Sequence, residues 1–216
     1  MKKNGSTLKN QVYNALFSDI INGVYPVDTV LTEKFLIEKY DVSRAPIREA
    51  LTQLTGTLLL TSIPRQGYKI IEPSQQQLLE ITKFRSALES SFLESYFIYV
   101  DKFHLKELQS LCTDYINCPE SDFMAHWHCN CQFHLKLFSI YGNKYAYKLL
   151  EDALNIQTIF FVQKKQFITM DLHLALVDYL EKGETKMAIA ILKADIENLL
   201  LPSNAPIPVT QNSDTY

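Results

Sequence analysis

The 216 residues contain no apolar run long enough to cross a bilayer. Stretches such as LTGTLLL fall far short of the roughly 20 residues that a spanning helix needs, so no membrane partner is expected. The opening MKKNGSTLKNQ has lysines but no apolar segment behind them, and it lacks the pattern of a secretory signal. Without export, the four cysteines are expected as reduced thiols in a cytoplasmic protein, not as a disulfide framework. Six glycines and eight prolines supply little of the punctuation a strand-rich fold requires. There is no P-loop and no internal repeat.

Neither sign of charge dominates, the net value being −3. The distribution is uneven: residues 1–72 carry nine Lys and Arg against seven Asp and Glu, a balance of +2, which leaves −5 for the remainder. A slightly basic head on an acidic body is compatible with nucleic-acid contact at one end. With 47% hydrophobic and 21% charged residues, the composition is that of a globular protein able to bury a real core.

Most segments repeat apolar residues at helical spacing, which predicts a mainly α fold. Leu8, Val12, Leu16, Ile20 and Ile21 mark a first helix, ended by Gly23 and Pro26. Leu31, Phe35, Leu36 and Tyr40 mark a second. A third starts from Ser43 as N-cap, with Pro46 in its first turn and Ile47, Ala50, Leu51 and Leu54 inward. LLLTSI and GYKII then read as a hairpin around PRQ. Ser74 and Gln77 form a capping-box pair in EPSQQQ, which places a domain boundary at 72–75. Beyond it the pattern predicts only helices, over about 77–99, 102–117, 121–141, 144–164, 168–182 and 184–200. The division expected is therefore 1–72, 73–201, and a disordered tail at 202–216 rich in Pro, Ser and Asn.

Three short helices and a β-hairpin are the layout of a winged helix-turn-helix, in which the third helix enters the major groove of DNA. Arg44 and Arg48 are four apart near its N-terminal end, opposite the apolar stripe. Their forked guanidinium groups suit a guanine edge or a phosphate. Ser43 and the free N–H groups at the helix start can take another phosphate. Lys34, Arg65 and Gln66 extend the polar set.

The stretch LTEKFLIEKYDVSRAPIREALTQL, followed by IPRQGYKI, resembles the DNA-binding head of the GntR family of bacterial transcriptional regulators. The likeness covers about residues 8–71. It implies that Lys34, Ser43, Arg44, Arg48, Arg65, Gln66 and Gly67 lie at DNA. Ala45 stands where the family commonly has Thr.

An all-helical body after such a head resembles the FadR-type subfamily with its C-terminal FCD domain. Members commonly hold a divalent metal through an Asp, a His four residues on, a distant His, and a His 22 residues further. Small carboxylate effectors bind beside it. The segment HWHCNCQFHLKLF, residues 126–138, crowds three histidines and two cysteines together. On a helix Cys129 and Cys131 point apart, so a Cys/His zinc knuckle is excluded; the cysteines read as small apolar fillers.

By the resemblance, His134 and His173 match two metal positions, Asn130 stands where the family has Asp, and Asp195 where it has the last His. Two imidazoles and one carboxylate suit zinc, nickel, manganese or iron. The rival expectations are that the metal has been lost and these polar residues hydrogen-bond an organic effector directly, or that a buried His–Asp pair merely satisfies itself. Arg85 and Glu89, four apart, resemble the family's Arg-x-x-Leu-Glu, which implies that Arg85 meets an effector carboxylate; the alternative is a surface or inter-helix ion pair of little worth. Phe92, Tyr96, Phe97 and Tyr99 read as core or dimer seam.

The function expected is a cytoplasmic, homodimeric, non-enzymatic repressor that binds a palindromic operator and answers to a small-molecule effector. Two classes compete: a metal-dependent enzyme using His134, His173 and Asp195, although no nucleophile, His-Asp doublet or glutamate base accompanies them at recognisable spacing, and a helical interaction module whose winged head binds protein.

Overall fold

The computed structural model describes residues 7–26, 29–119, 122–164 and 172–198; the expected tail, 202–216, lies outside them. Helix α1 (Leu8–Ile21) turns Val12, Leu16 and Ile20 inward. Helix α2 (Glu33–Tyr40) starts from Thr32, whose side chain accepts the Phe35 N–H at 3.1 Å. Helix α3 (Arg44–Gly56) buries Ile47, Ala50, Leu51 and Leu54. These faces, with Leu31, Leu36, Leu59, Leu60 and Ile70, make the core of the head.

The expected hairpin is β2 (Leu60–Ile63) paired antiparallel with β3 (Gly67–Ile70). A third strand, β1 (Val30–Leu31), pairs with the other edge of β3, giving the order β1-β3-β2. Two residues carry no readable alternation, which is why β1 is invisible in the sequence. Gly67 permits this pairing. Its φ is 136°, and a Cβ there would sit 2.6 Å from the Leu31 carbonyl oxygen. At the hairpin tip Gln66 N–H bonds the Ile63 carbonyl at 3.1 Å. Pro64 takes the second place of that turn and Arg65 the third, with φ 64°, as a type II turn demands.

The remaining elements are α4 (Gln75–Tyr96), a 3₁₀ turn (Phe97–Tyr99), α5 (Lys102–Asn117), α6 (Phe123–Ser139), α7 (Lys144–Lys164), α8 (His173–Glu181) and α9 (Thr185–Glu197). Helix α4 begins at the Ser74–Gln77 capping box. It ends three residues earlier than the apolar spacing predicts, because the chain tightens into the 3₁₀ turn. The start expected for the helix over 168–182 falls partly outside the described residues. Leu93, Leu108, Phe133, Leu150, Leu176, Leu192 and Ile196 fill the centre of the bundle. Phe92 and Tyr96 stack on one another and against Phe138 and Tyr141, so this part of the aromatic run is core.

Helix α7 joins the two parts. Its Ile159 is buried within the head's core, and Gly23 after α1 lies so near Val162 that a Cβ would approach it to 2.9 Å.

Within the head, one carboxylate ties three segments together. Asp19 Oδ2 accepts hydrogen bonds from Lys39 Nζ (2.7 Å), the Tyr40 hydroxyl (2.8 Å) and the Tyr25 hydroxyl (3.1 Å). Burial alone would raise the Asp19 carboxyl, but Lys39 and the two tyrosines outweigh it and hold it below its ordinary 3.8. A depressed carboxylate stabilises the fold above its unfolded value and loses that contribution as pH falls through the folded one. Asp19→Asn is therefore expected to cost about 1–3 kcal/mol at pH 7. The difference from wild type should shrink steadily below pH 3.8, read by urea unfolding at both pH values; a constant gap at all pH would contradict the assignment.

Candidate functional site

The start of α3 presents its polar residues outward. Ser43 occupies the N-cap in extended conformation and makes no side-chain capping bond. Arg44 and Arg48 are 72% and 65% exposed. Each points its Nε toward one carboxylate, that of Glu33 at the start of α2, at 3.4 and 3.2 Å. Glu33 is only 28% exposed, so a largely covered carboxylate stands against two guanidinium groups that remain mostly in solvent. Sequence reading missed Glu33: an acid in the first turn of a helix looks like ordinary dipole chemistry. Lys34 is exposed near Glu38, 3.9 Å away. Arg65 and Gln66 are exposed at the hairpin tip. Gly67 is half-buried, and its role is the backbone approach to β1.

The second cluster lies inside the helical body. Arg85 and Glu89 from α4, Asn130 and His134 from α6, His173 at the start of α8, and Asp195 from α9 are all buried. The surface reading of Arg85 is corrected: the residue is 0% exposed, because α7 and α9 cover this face of α4. Arg85 Nε bonds Glu89 Oε1 at 2.9 Å and Nη1 bonds Gln157 Oε1 at 2.7 Å. Gln157, from α7, passes a further bond to Thr82 at 3.0 Å. Neither Gln157 nor Thr82 has a sequence signal, since each sits in a helix like any other polar residue.

Glu89 Oε2 stands 2.7 Å from His134 Nδ1. A proton held there leaves the His134 Nε2 lone pair facing the other way, the arrangement found behind metal-bound imidazoles. His134 Nε2 and His173 Nε2 lie 3.1 and 3.2 Å from Asp195 Oδ2 and 3.5 Å from each other. Yet Oδ2 is buried without an aligned hydrogen-bond donor, while Oδ1 accepts the Leu172 N–H at 3.1 Å. One ligand atom from each of His134, His173 and Asp195 falls within 4.8 Å of the others. Burial by itself would raise the Asp195 carboxyl, but His173 and His134 hold it far below the usual carboxylate range. Burial would likewise raise Glu89, and Arg85 with His134 keeps it low. Phe133 stacks on the His173 ring at 4.0 Å and fixes its plane. Asn130, one turn before His134, is buried with Nδ2 unpartnered. The donor set fits a divalent ion.

Between the two sites runs a cleft of about 660 Å³, lined by Tyr13, Phe17 and Gln53 from the head and by Trp127, Cys131 and Thr158 from the body.

Comparison with known proteins shows what the head is similar to. Residues 8–70 match the family of bacterial regulatory proteins, gntR family. Over these residues the head is similar to the DNA-binding part of that family. The chain is 36% identical over 78 residues to the HTH-type transcriptional repressor GlaR of Escherichia coli (strain K12), which covers 36% of each protein. It is 30% identical over 145 residues to the uncharacterized HTH-type transcriptional regulator YdhC of Bacillus subtilis (strain 168), covering 65% of this chain and 64% of that one. The match thus spans about a third to just under two thirds of these curated relatives. E. coli McbR/YncC has the same fold, with a TM-score of 0.74 at 20% identity over 89% of this chain and 95% of the other. Both of these curated relatives are named as transcriptional regulators or repressors. Among the described residues no helix is long and apolar enough to cross a membrane.

Arg44→Ala and Arg48→Ala should each weaken binding to a promoter-region duplex by about 1–3 kcal/mol, or roughly 5- to 150-fold. Their melting points should stay close to wild type, since both side chains are exposed. Glu33→Ala should raise affinity for random duplex while lowering the ratio of specific to non-specific binding, because it removes both a repelling charge and the brace. Gel shifts with the two duplexes measure this, and an unchanged ratio would count against Glu33 as the brace.

Proposed function

We propose that the chain is a homodimeric, cytoplasmic transcription regulator that represses from a palindromic operator. In this reading residues 1–72 bind DNA, and residues 73–201 form an FCD-like body that holds a small carboxylate through a divalent ion. Lys34, Ser43, Arg44, Arg48, Arg65, Gln66 and the backbone at Gly67 meet the duplex.

The observation that carries the reading is the buried cluster of Arg85, Glu89, His134, His173 and Asp195. His134, His173 and Asp195 hold the ion, with the Asn130 carbonyl as a fourth contact. Asp195 Oδ2, which faces both imidazoles but has no aligned hydrogen-bond donor, supports this choice. An ion at the imidazole nitrogens would take the place of the protons that hold Asp195 low; with the imidazoles then neutral, Arg85, Glu89 and Asp195 carry one net negative charge in a dry interior, which favours a cation. When bound, a divalent ion supplies one positive charge in excess, and that excess attracts a carboxylate. Arg85 Nη2, buried and without a hydrogen-bond partner, is the donor suited to orient it.

Control of the head follows from α7. Gln157 bonds Arg85, Thr158 accepts the Trp127 Nε1–H at 2.7 Å, and Ile159 sits in the head's core. Three consecutive residues thus touch the centre, the cleft and the head. An effector that engages Arg85 changes what Gln157 can bond, and so favours one placement of the head. Operator half-site spacing is strict, so placement sets affinity. Exposed Ile98, Tyr99 and Phe103 support burial of this edge by a second copy.

Protein purified without chelator should contain about one equivalent of zinc, nickel, manganese or iron by elemental analysis, and His134→Ala should contain none. A metal-free wild type, fully able to bind operator, would remove the ion from the reading. In a melting screen of small carboxylates with divalent ions, an effector at 100 times its Kd should stabilise by about 2.7 kcal/mol and release the operator. Gln157→Ala should keep the stabilisation and lose the release; release at the wild-type effector concentration would sink the α7 route.

A further inference from the structure

We propose that Cys118 and Cys129 form a reversible intramolecular disulfide, an oxidation site on the protein's surface beside the histidine–carboxylate centre. The two Sγ atoms lie 3.8 Å apart, at van der Waals contact, and both residues are half-buried. They come from different elements. Cys118 is the C-cap of α5, in extended conformation at φ −65° and ψ 140°, and Cys129 lies in the second turn of α6. The thiol of Cys118 otherwise donates only to the Asp114 carbonyl, at 3.3 Å, a bond that oxidation replaces.

A disulfide needs the sulfurs about 2.05 Å apart, so closure requires a shift of under 2 Å. Cys118 sits just past the helical ladder, where χ1 rotation and a small backbone adjustment can supply it. A metal site is the other use of two adjacent thiols, but structural zinc needs four ligands. Among the described residues the one group of three or more His, Cys, Asp or Glu close enough to hold an ion is His134, His173 and Asp195. The dithiol has no third ligand there, which leaves sulfur–sulfur chemistry. Packing as small apolar fillers accounts for either cysteine alone, not for two thiols meeting at a partly open edge.

The oxidant is a hydroperoxide. One sulfur, as thiolate, attacks a peroxide oxygen; the O–O bond breaks, hydroxide leaves and takes up the thiol proton as water, and a sulfenic acid remains. The second sulfur attacks that sulfenic sulfur, the S–S bond forms, and the hydroxyl leaves with the second thiol proton as another water. Two electrons pass from the pair to the peroxide. A small dithiol reductant reverses the bond by exchange.

The consequence is local and directional. Tyr115, in the last turn of α5, lies edge-on to His126 (4.8 Å) and to His173 (6.2 Å). Drawing Cys118 toward α6 moves that turn, and with it the ring standing against His173.

The test treats the reduced full chain with hydrogen peroxide, then denatures it, alkylates it and counts thiols by mass. Alkylatable thiols should fall from four to two, with one crosslinked Cys118–Cys129 peptide, no covalent dimer, and full recovery in dithiothreitol. In Cys118→Ser and Cys129→Ser the crosslink should vanish and the remaining partner should be captured as a sulfenic acid by dimedone. Survival of all four thiols, a crosslink through Cys112 or Cys131, or a disulfide between two chains would falsify the proposal, and the wild-type map decides even if a serine variant folds poorly.

Discussion

Charges buried in the helical body must find partners inside it, and that requirement organises everything around Arg85. Desolvating a guanidinium without an anion costs several kcal/mol. Arg85 therefore takes Glu89 one turn away and Gln157 from α7. Glu89 in turn engages His134, and His134 and His173 both face Asp195. The chain of contacts draws on α4, α6, α7, α8 and α9, so a polar thread fixes how five helices are set. Apolar packing alone tolerates small shifts; this thread does not, because slippage would strand a charge.

The same logic runs on the outside at lower stakes. Glu33 faces Arg44 and Arg48 from a position that is mostly covered, while the arginines remain in water. Exposed ion pairs contribute little to stability, so the value of this one lies in orientation. A guanidinium fork that is already aimed loses less freedom when it meets a base edge. The wing is built with equal economy: Gly67 lets β1 close on β3, and Arg65 accepts a left-handed backbone at the tip.

Helix α7 touches both the head and the buried cluster. Its residues 157, 158 and 159 point in successive directions around the helix, about 100° apart, so one turn can contact the buried centre, the cleft and the head's core together. A helix is stiff along its axis, which is the property the proposed route from Gln157 to Ile159 relies on.

How much of this was legible beforehand differs by region. The arginine pair, the capping box, the hairpin and the helical body follow from spacing, because local periodicity depends on neighbours three or four residues away. The histidines and Asp195 could be picked out only by resemblance, since nothing local ties position 134 to positions 173 and 195. Tertiary structure decided the rest: that Arg85 is buried, that Glu33 serves two arginines, that Cys118 meets Cys129, and that Ile159 belongs to the head. Each of these is a contact between residues distant in the chain, and such contacts arise only when whole helices choose their neighbours.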